Sequence, residues 1–175
     1  MRGLSGRVVI VTGAGSGLGR GMALRLAEEG ASVGIVDLNL SGARETVERI
    51  QAAGGNARAV QADIVDYEAC ASAVDEVEAA FGDLHGLVNN AGWDLAGSFI
   101  DVDRQVWRKI IDINLYGPLN MHHVVVPRML QRGGGKIVNI SSDAGRVGSS
   151  GEAVYSACKG GMIAFSKTLS REVAR

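Results

Sequence analysis

Cysteine is nearly absent from the chain: only Cys70 and Cys158 occur. They lie far apart, with no CxxC pair and no histidine cluster beside either. Both a disulfide framework and a thiolate metal site are therefore unexpected, and two reduced thiols are the expectation. Histidine is scarce as well, with three residues. His122 and His123 are neighbours on an expected helix, so they point in different directions and cannot share a metal. No metal site is expected. An excess of charge of one sign is also missing: 18 basic and 19 acidic side chains leave a formal charge of −1. A nucleic-acid or membrane-surface partner would need a basic face, and none is indicated. Finally, there is no long apolar run. The opening Met-Arg-Gly-Leu-Ser-Gly leads into Val8–Val11, which a glycine loop follows at once, too soon for a signal peptide or a membrane span. The expected location is cytoplasmic.

Glycine is the residue in excess, at 25 of 175, roughly twice the usual share of about 7%. No tripeptide period or biased tract accompanies it, so collagen-like and low-complexity sequence are excluded. The glycines fall between apolar segments, where tight turns belong. Those segments alternate in kind. Strands are expected at Arg7–Thr12, Ser32–Asp37, Ala57–Gln61, Gly86–Asn90 and Lys136–Ser141. Helices are expected at Leu18–Glu29, Gly42–Ala53, Tyr67–Phe81 and Asp103–Gln131, with a last one from about Ala153 onward. The strands are almost continuously apolar, as when helices cover both faces of a sheet. The alternation implies an α/β fold with a parallel, doubly wound sheet and right-handed crossovers. No linker divides the chain, so residues 1–175 are read as one domain.

Ligands of such sheets bind beyond the carboxyl ends of the strands, so the residues there carry the functional reading. After the first strand comes Thr12-Gly13-Ala14-Gly15-Ser16-Gly17-Leu18-Gly19. This is TGxxxGxG, not the more familiar GxGxxG. The physics is the same: glycines permit a sharp turn and let a diphosphate approach backbone at a helix N-terminus. Gly13, Ser16, Gly17, Leu18 and Gly19 are the candidates for that contact. The second strand ends at Asp37, about 20 residues past the loop, where a carboxylate takes both adenosine ribose hydroxyls and repels a 2′-phosphate. No lysine or arginine lies in Leu38–Leu40 or Ala14–Ser16, so NAD is favoured over NADP. Asp37 as a helix cap is the weaker reading, because Ser41 is better placed to cap. Asp63 and Ile64 follow the third strand and could meet the adenine, although Asp63 could equally cap the next helix.

Tyr155 and Lys159 stand four residues apart on the last helix, on one face. A phenol with a pKa of about 10 is a poor acid or base at neutrality; moving it to near 7 takes about 4 kcal/mol of differential interaction. A neighbouring ammonium acts in that direction. Ser142 follows the fifth strand and could donate to the same substrate oxygen. Asn114 sits within the long fourth helix, and Asn89-Asn90-Ala91-Gly92 ends the fourth strand.

With TGxxxGxG, NNAG, the in-helix Asn114, the strand-end Ser142 and YxxxK all in order, the chain resembles the short-chain dehydrogenase/reductase family from end to end. The resemblance implies a Rossmann-type sheet of order 3-2-1-4-5. It implies a catalytic set of Asn114, Ser142, Tyr155 and Lys159. Tyr155 would be the general acid/base, Lys159 would lower its pKa and bind the nicotinamide ribose, Ser142 would hold the carbonyl and Asn114 a relay water. Asn90, Ala91 and Gly92, with Tyr155 and Lys159, would join the cofactor contacts. Hydride would pass between NAD and the substrate carbon. Within the family, Asn89–Asp94, Met121–His123 and Ser142–Tyr155 are similar to members acting on cyclic hydroxyacyl-CoA thioesters. The expected substrate is therefore a hydroxyacyl thioester or another secondary alcohol. The alternatives are a 3-oxoacyl-carrier-protein reductase-like ketoreductase, against which Asp37 argues, and a non-catalytic nucleotide-binding fragment. Family members run on into a sixth strand, a lid and a seventh strand, so the domain is expected to be incomplete at its C-terminus, with the full-length form a homotetramer.

Overall fold

The computed structural model describes residues 3–174. Five strands form one parallel sheet: β1 (Val8–Thr12), β2 (Ser32–Asp37), β3 (Asn56–Gln61), β4 (Leu84–Asn89) and β5 (Lys136–Asn139), in the order β3-β2-β1-β4-β5. The expected order and parallel sense are what is found. Between the strands lie α1 (Gly17–Glu28), α2 (Leu40–Ala52), α3 (Tyr67–Phe81), α4 (Arg104–Ile111) and α5 (Gly117–Gln131). After β5 come a short α6 (Ala144–Val147) and the long α7 (Ala153–Glu172).

The centre of the sheet is covered on both faces because β1, β2 and β4 are almost continuously buried, and β1 shows the two-residue period directly. Val8 and Ile10 enter one core with Cys70, Val74 and Val77 of α3 and Met121, Val124 and Val125 of α5. Val9 and Val11 enter the other, with Ala23 and Ala27 of α1 and Ala43 and Ile50 of α2. Small residues on α1 and α2 let these helices lie close to the strands. Thr46 of α2 is fully buried and donates to the Ala14 carbonyl at 2.9 Å, which ties α2 to the loop after β1.

Three sequence expectations need correction, and one short element was not expected. The single helix over Asp103–Gln131 is interrupted by a π-helical turn at Asp112–Tyr116, which carries Asn114; Pro118 follows at the start of α5, where a missing amide proton costs nothing. The cap of α2 is Asn39, whose side-chain oxygen accepts from the Gly42 amide at 3.2 Å, while Ser41 donates to that same oxygen. The helix after β3 is capped by Asp66, which accepts from Glu68 and Ala69 amides, so Asp63 is not its cap. Finally, α6 has no periodic apolar pattern to announce it.

Beneath the carboxyl ends of β4 and β5 lies a buried polar cluster that fixes a protonation state. His122 of α5 is 3% exposed, with Nδ1 2.6 Å from the Pro118 carbonyl and Nε2 3.2 Å from Asn139 Nδ2. A carbonyl can only accept and an amide nitrogen can only donate. With Pro118 as acceptor and Asn139 as donor, the ring is neutral, its proton on Nδ1 and a lone pair on Nε2; the Asn89 amide nitrogen, 3.3 Å from Nδ1, then makes no hydrogen bond to the ring. Asn139 also donates to Ser166 of α7 at 2.9 Å and accepts from Asn89 at 2.9 Å. Burial holds the His122 pKa below its ordinary 6.5, against the pull of the Pro118 carbonyl. The unfolded chain thus binds a proton near pH 6.5 that the folded chain refuses, so this contribution to stability is full above 6.5 and falls as pH drops. Urea denaturation should show stability declining below pH 6.5 by at most about 1.4 kcal/mol per pH unit. The His122→Gln variant should lose that slope, and an unchanged slope in the variant would refute the assignment.

Candidate active site

The glycine loop is built by stitching β1 to β4. The Thr12 hydroxyl accepts from the Asn90 and Ala91 amides, both at 3.1 Å. In return the Asn90 side-chain amide donates to the Thr12 and Gly13 carbonyls at 3.0 and 3.1 Å. Gly13 has φ +64°, and a Cβ there would lie 2.8 Å from Ala91 Cα. Only glycine lets these two strand ends approach so closely. The chain then turns into α1. Its cap residue Ser16 makes no side-chain capping bond, and no acid occupies the first turn. The first amides of α1 are thus left with their partial positive charge and no internal partner, which suits an anion.

A groove of about 530 Å³ opens along these strand ends. Gly13, Ser16, Gly17, Leu18, Gly19, Asp37, Asp63, Ile64, Asn90, Ala91 and Gly92 all line it. The Asp37 carboxylate is held in place on both sides: Oδ2 accepts from the Gly15 amide at 2.7 Å and Oδ1 from the Asn39 amide at 2.8 Å. Asp63 accepts from the Val65 amide at 2.9 Å and keeps its second oxygen for the groove. Arg20 is held by other partners: it pairs with Glu45 at 2.8 Å, and donates to Thr46 at 3.0 Å and to the Gly15 carbonyl of the loop. The size of the groove, its backbone donors and its polar lining fit a dinucleotide.

At the other end of the groove, α7 brings Tyr155 and Lys159 to Ser142 and Asn114. Close backbone contact makes this possible: a Cβ on Gly145 of α6 would lie 2.6 Å from the Gly160 amide of α7. Lys159 is 5% exposed, its Nζ donating to the Ile140 carbonyl at 2.9 Å and standing 5.4 Å from the Tyr155 ring centre. The Asn114 amide nitrogen donates to the Trp93 and Ile110 carbonyls. Its Oδ1 is buried without a partner. A methyl placed on Gly92 would lie 2.9 Å from that oxygen and 3.7 Å from Lys159 Nζ, so both polar ends converge beside Gly92. The π turn explains the orphan: widening the helix at Asn114 frees its side chain to point into the site.

The Tyr155 phenol differs from its expected state. Burial pushes its pKa above 10, a hydrogen bond with Ser142 lowers it, and Glu152 and Asp94 raise it again. Burial likewise holds Lys159 below its ordinary value. In this state the expected lowering of the phenol is therefore not reached. Asp94 and Glu152 face each other across a small apolar cleft with Trp107, Val154 and Tyr155. The Gly97 amide donates to the Gly151 carbonyl at 2.9 Å and joins its two walls. Several groove and cleft residues had no signal of their own in the sequence: Trp93, Lys109 and Ile113 in the groove, Asp94 and Glu152 in the cleft. Thr12 was visible within TGxxxGxG, and its hydroxyl proves to be the stitch. Neither cysteine contributes: both are free and buried, and burial raises the Cys70 thiol to about 12.

The short chain dehydrogenase family model matches residues 7–175. A 3-oxoacyl-[acyl-carrier-protein] reductase, FabG, of Staphylococcus aureus is 40% identical over 169 residues, covering 94% of this chain and 68% of that protein. A cyclohexanol dehydrogenase of Acinetobacter sp. is 39% identical, covering 96% of this chain and 67% of that protein. Among solved structures, an NAD⁺-bound xylitol dehydrogenase superposes with a TM-score of 0.95 at 32% identity, over 99% of this chain and 67% of the other. The chain belongs to the short chain dehydrogenase family, a family of oxidoreductases.

The stitch makes a prediction with an internal control. A Cβ at Gly19 would fall against the Gly13 carbonyl and 2.5 Å from Asn90 Nδ2, whereas Gly21 on the same helix has nothing within 4 Å. Gly19→Ala should cost about 1–3 kcal/mol of stability and weaken cofactor binding at least about tenfold. Gly21→Ala should be neutral or stabilise by up to about 1 kcal/mol. Thermal melts and calorimetric titration with NAD separate the two; equal behaviour would refute the steric account.

Proposed function

We propose that residues 1–175 form a single cofactor-binding and catalytic domain of an NAD-dependent dehydrogenase. It passes hydride between NAD and a secondary alcohol or ketone, with a hydroxyacyl-CoA thioester as the substrate class. The observation that carries the cofactor reading is Asp37. Its carboxylate is fixed at the groove by Gly15 and Asn39, while Arg20 is bound to Glu45. A 2′-phosphate there would meet an anion and no free cation. The solved NAD⁺-bound xylitol dehydrogenase supports the same reading.

When bound, the nicotinamide supplies or accepts the hydride. The amides at the start of α1 hold the diphosphate, and Asp37 the adenosine ribose. Asp63 and Ile64 border the adenine, and Lys159 the nicotinamide ribose. Tyr155 gives a proton to the substrate oxygen in reduction or takes one in oxidation, and Ser142 donates a hydrogen bond to that oxygen. Asn114 Oδ1, unpartnered and beside Lys159, is placed to hold a relay water. Asp94 and Glu152 disfavour a free carboxylate near the reacting carbon, which suits a thioester or a plain alcohol over a free hydroxy acid. The resemblance of Asn89–Asp94 and Ser142–Tyr155 to 2-hydroxycyclohexanecarboxyl-CoA dehydrogenase supports a cyclic acyl thioester. Likeness to the FabG proteins supports a second reading, a ketoreductase acting on 3-oxoacyl thioesters. Assembly of the full-length form as a homotetramer, in the cytoplasm, belongs to the same proposal.

Calorimetric titration should find NAD bound more tightly than NADP, with Asp37→Ala narrowing the gap; equal wild-type affinities would overturn the cofactor assignment. In the full-length enzyme, Tyr155→Phe should lower kcat by at least about a thousandfold with NAD affinity nearly unchanged. Retention of most turnover would remove Tyr155 from the acid/base role.

A further inference from the structure

Among the described residues lining the groove there is one cation, Lys109 of α4, against the two carboxylates of Asp37 and Asp63. Its Nζ stands 3.9 Å from the ring centre of Trp93, which lines the same groove. The place of this pair follows from the sheet order. Asp37 ends β2, the glycine loop follows β1, and Trp93 follows β4, so the α1 N-terminus lies between the carboxylate and the ammonium. β2 and β4 both neighbour β1, so Asp37 and the Trp93–Lys109 pair flank the glycine loop from opposite sides, Asp37 being bonded to the Gly15 amide at 2.7 Å.

We propose that Lys109, held on the face of Trp93, is the counter-charge for the cofactor's diphosphate on the β4 side of the groove. The proposal rests on the reading of the groove as an NAD site. A diphosphate carries two negative charges, and the end of α1 offers about half a positive one. The acidic walls at Asp37 and Asp63 oppose its entry, and Arg20 is already neutralised by Glu45. Lys109 takes part in none of the ion pairs between described residues, so its charge is available. It is also pre-positioned. The Trp93 carbonyl accepts from Asn114, which anchors the tryptophan, and the ring face attracts the ammonium and restricts its flexible stem. The same asparagine that points an unpartnered oxygen toward the catalytic lysine therefore also steadies the platform for the diphosphate cation.

The test titrates the chain by calorimetry with NAD, with ADP-ribose and with adenosine, at low and moderate salt. Lys109 is exposed, so its replacement spares the core. Lys109→Gln should weaken NAD and ADP-ribose about five- to tenfold. It should leave adenosine unchanged and flatten the salt dependence of NAD binding. Lys109→Arg should restore most of the affinity. Quenching of Trp93 fluorescence by ADP-ribose, measured with Trp107→Phe, gives a second readout that should persist in Lys109→Arg. Wild-type affinity for NAD in Lys109→Gln would overturn the proposal, as would an equal loss for adenosine. A wild-type chain that binds neither NAD nor ADP-ribose would instead overturn the NAD reading itself, and this proposal with it.

Discussion

Everything at the candidate site depends on how closely the ends of β1 and β4 are held. One hydroxyl, on Thr12, accepts two amides from the neighbouring strand end, and one side-chain amide, on Asn90, returns two donations to the first. Parallel strands leave their terminal amides and carbonyls unpaired where the ladder stops, and a buried group of that kind costs about 1–3 kcal/mol if unmatched. Here the stopping point is satisfied by side chains instead of by more strand. That frees the backbone beyond it to separate and open a groove. The stitch demands glycine at positions 13 and 19, because any side chain would occupy the space that the two strand ends share.

The catalytic half uses a related device. Lys159 has no carboxylate partner among the described ion pairs; its ammonium donates to the Ile140 carbonyl, and Ser141 donates to the Lys159 carbonyl at 3.1 Å. These two bonds run in opposite directions between the end of β5 and α7, so they fix the helix rotation that presents Tyr155. The neutral His122 ring, bonded through Asn139 to Ser166, holds β5, α5 and α7 together just behind. A buried network of this kind makes position specific because each member has one consistent set of donors and acceptors.

Much of this was legible in the sequence because it is periodic or because it repeats a spacing. The unbroken apolar runs at Val8–Val11 and Val33–Val36 predicted strands buried on both faces, and alternation with helices predicted their parallel sense. Asp37 was legible because its distance from the glycine loop is set by one βα unit. The parts that escaped depend on details finer than period. Whether Asn39 or Ser41 caps α2 turns on two residues of chain, and both are good caps. The π turn at Asp112–Tyr116 adds no unusual residue, so Ile113-Asn114-Leu115 reads as ordinary helix. Lys109 and Trp93 lie far apart in sequence, and only the fold makes them neighbours.

The charge balance of the bare site ties these features together. Burial, Glu152 and Asp94 keep the Tyr155 phenol protonated, and burial disfavours the charged form of Lys159. Burial thus disfavours the charged form of each group. A positive charge brought beside them lowers the phenol's pKa by simple Coulomb attraction, and strongly so in a site shielded from water. Glu152 and Asp94 act in the opposite sense and favour the protonated phenol. On the proposed reading, the cofactor held by the glycine loop would bring that positive charge and so would link the two halves of the domain. On that reading, a groove that held its ligand out of register would leave the Tyr155 phenol protonated even with every side chain in place.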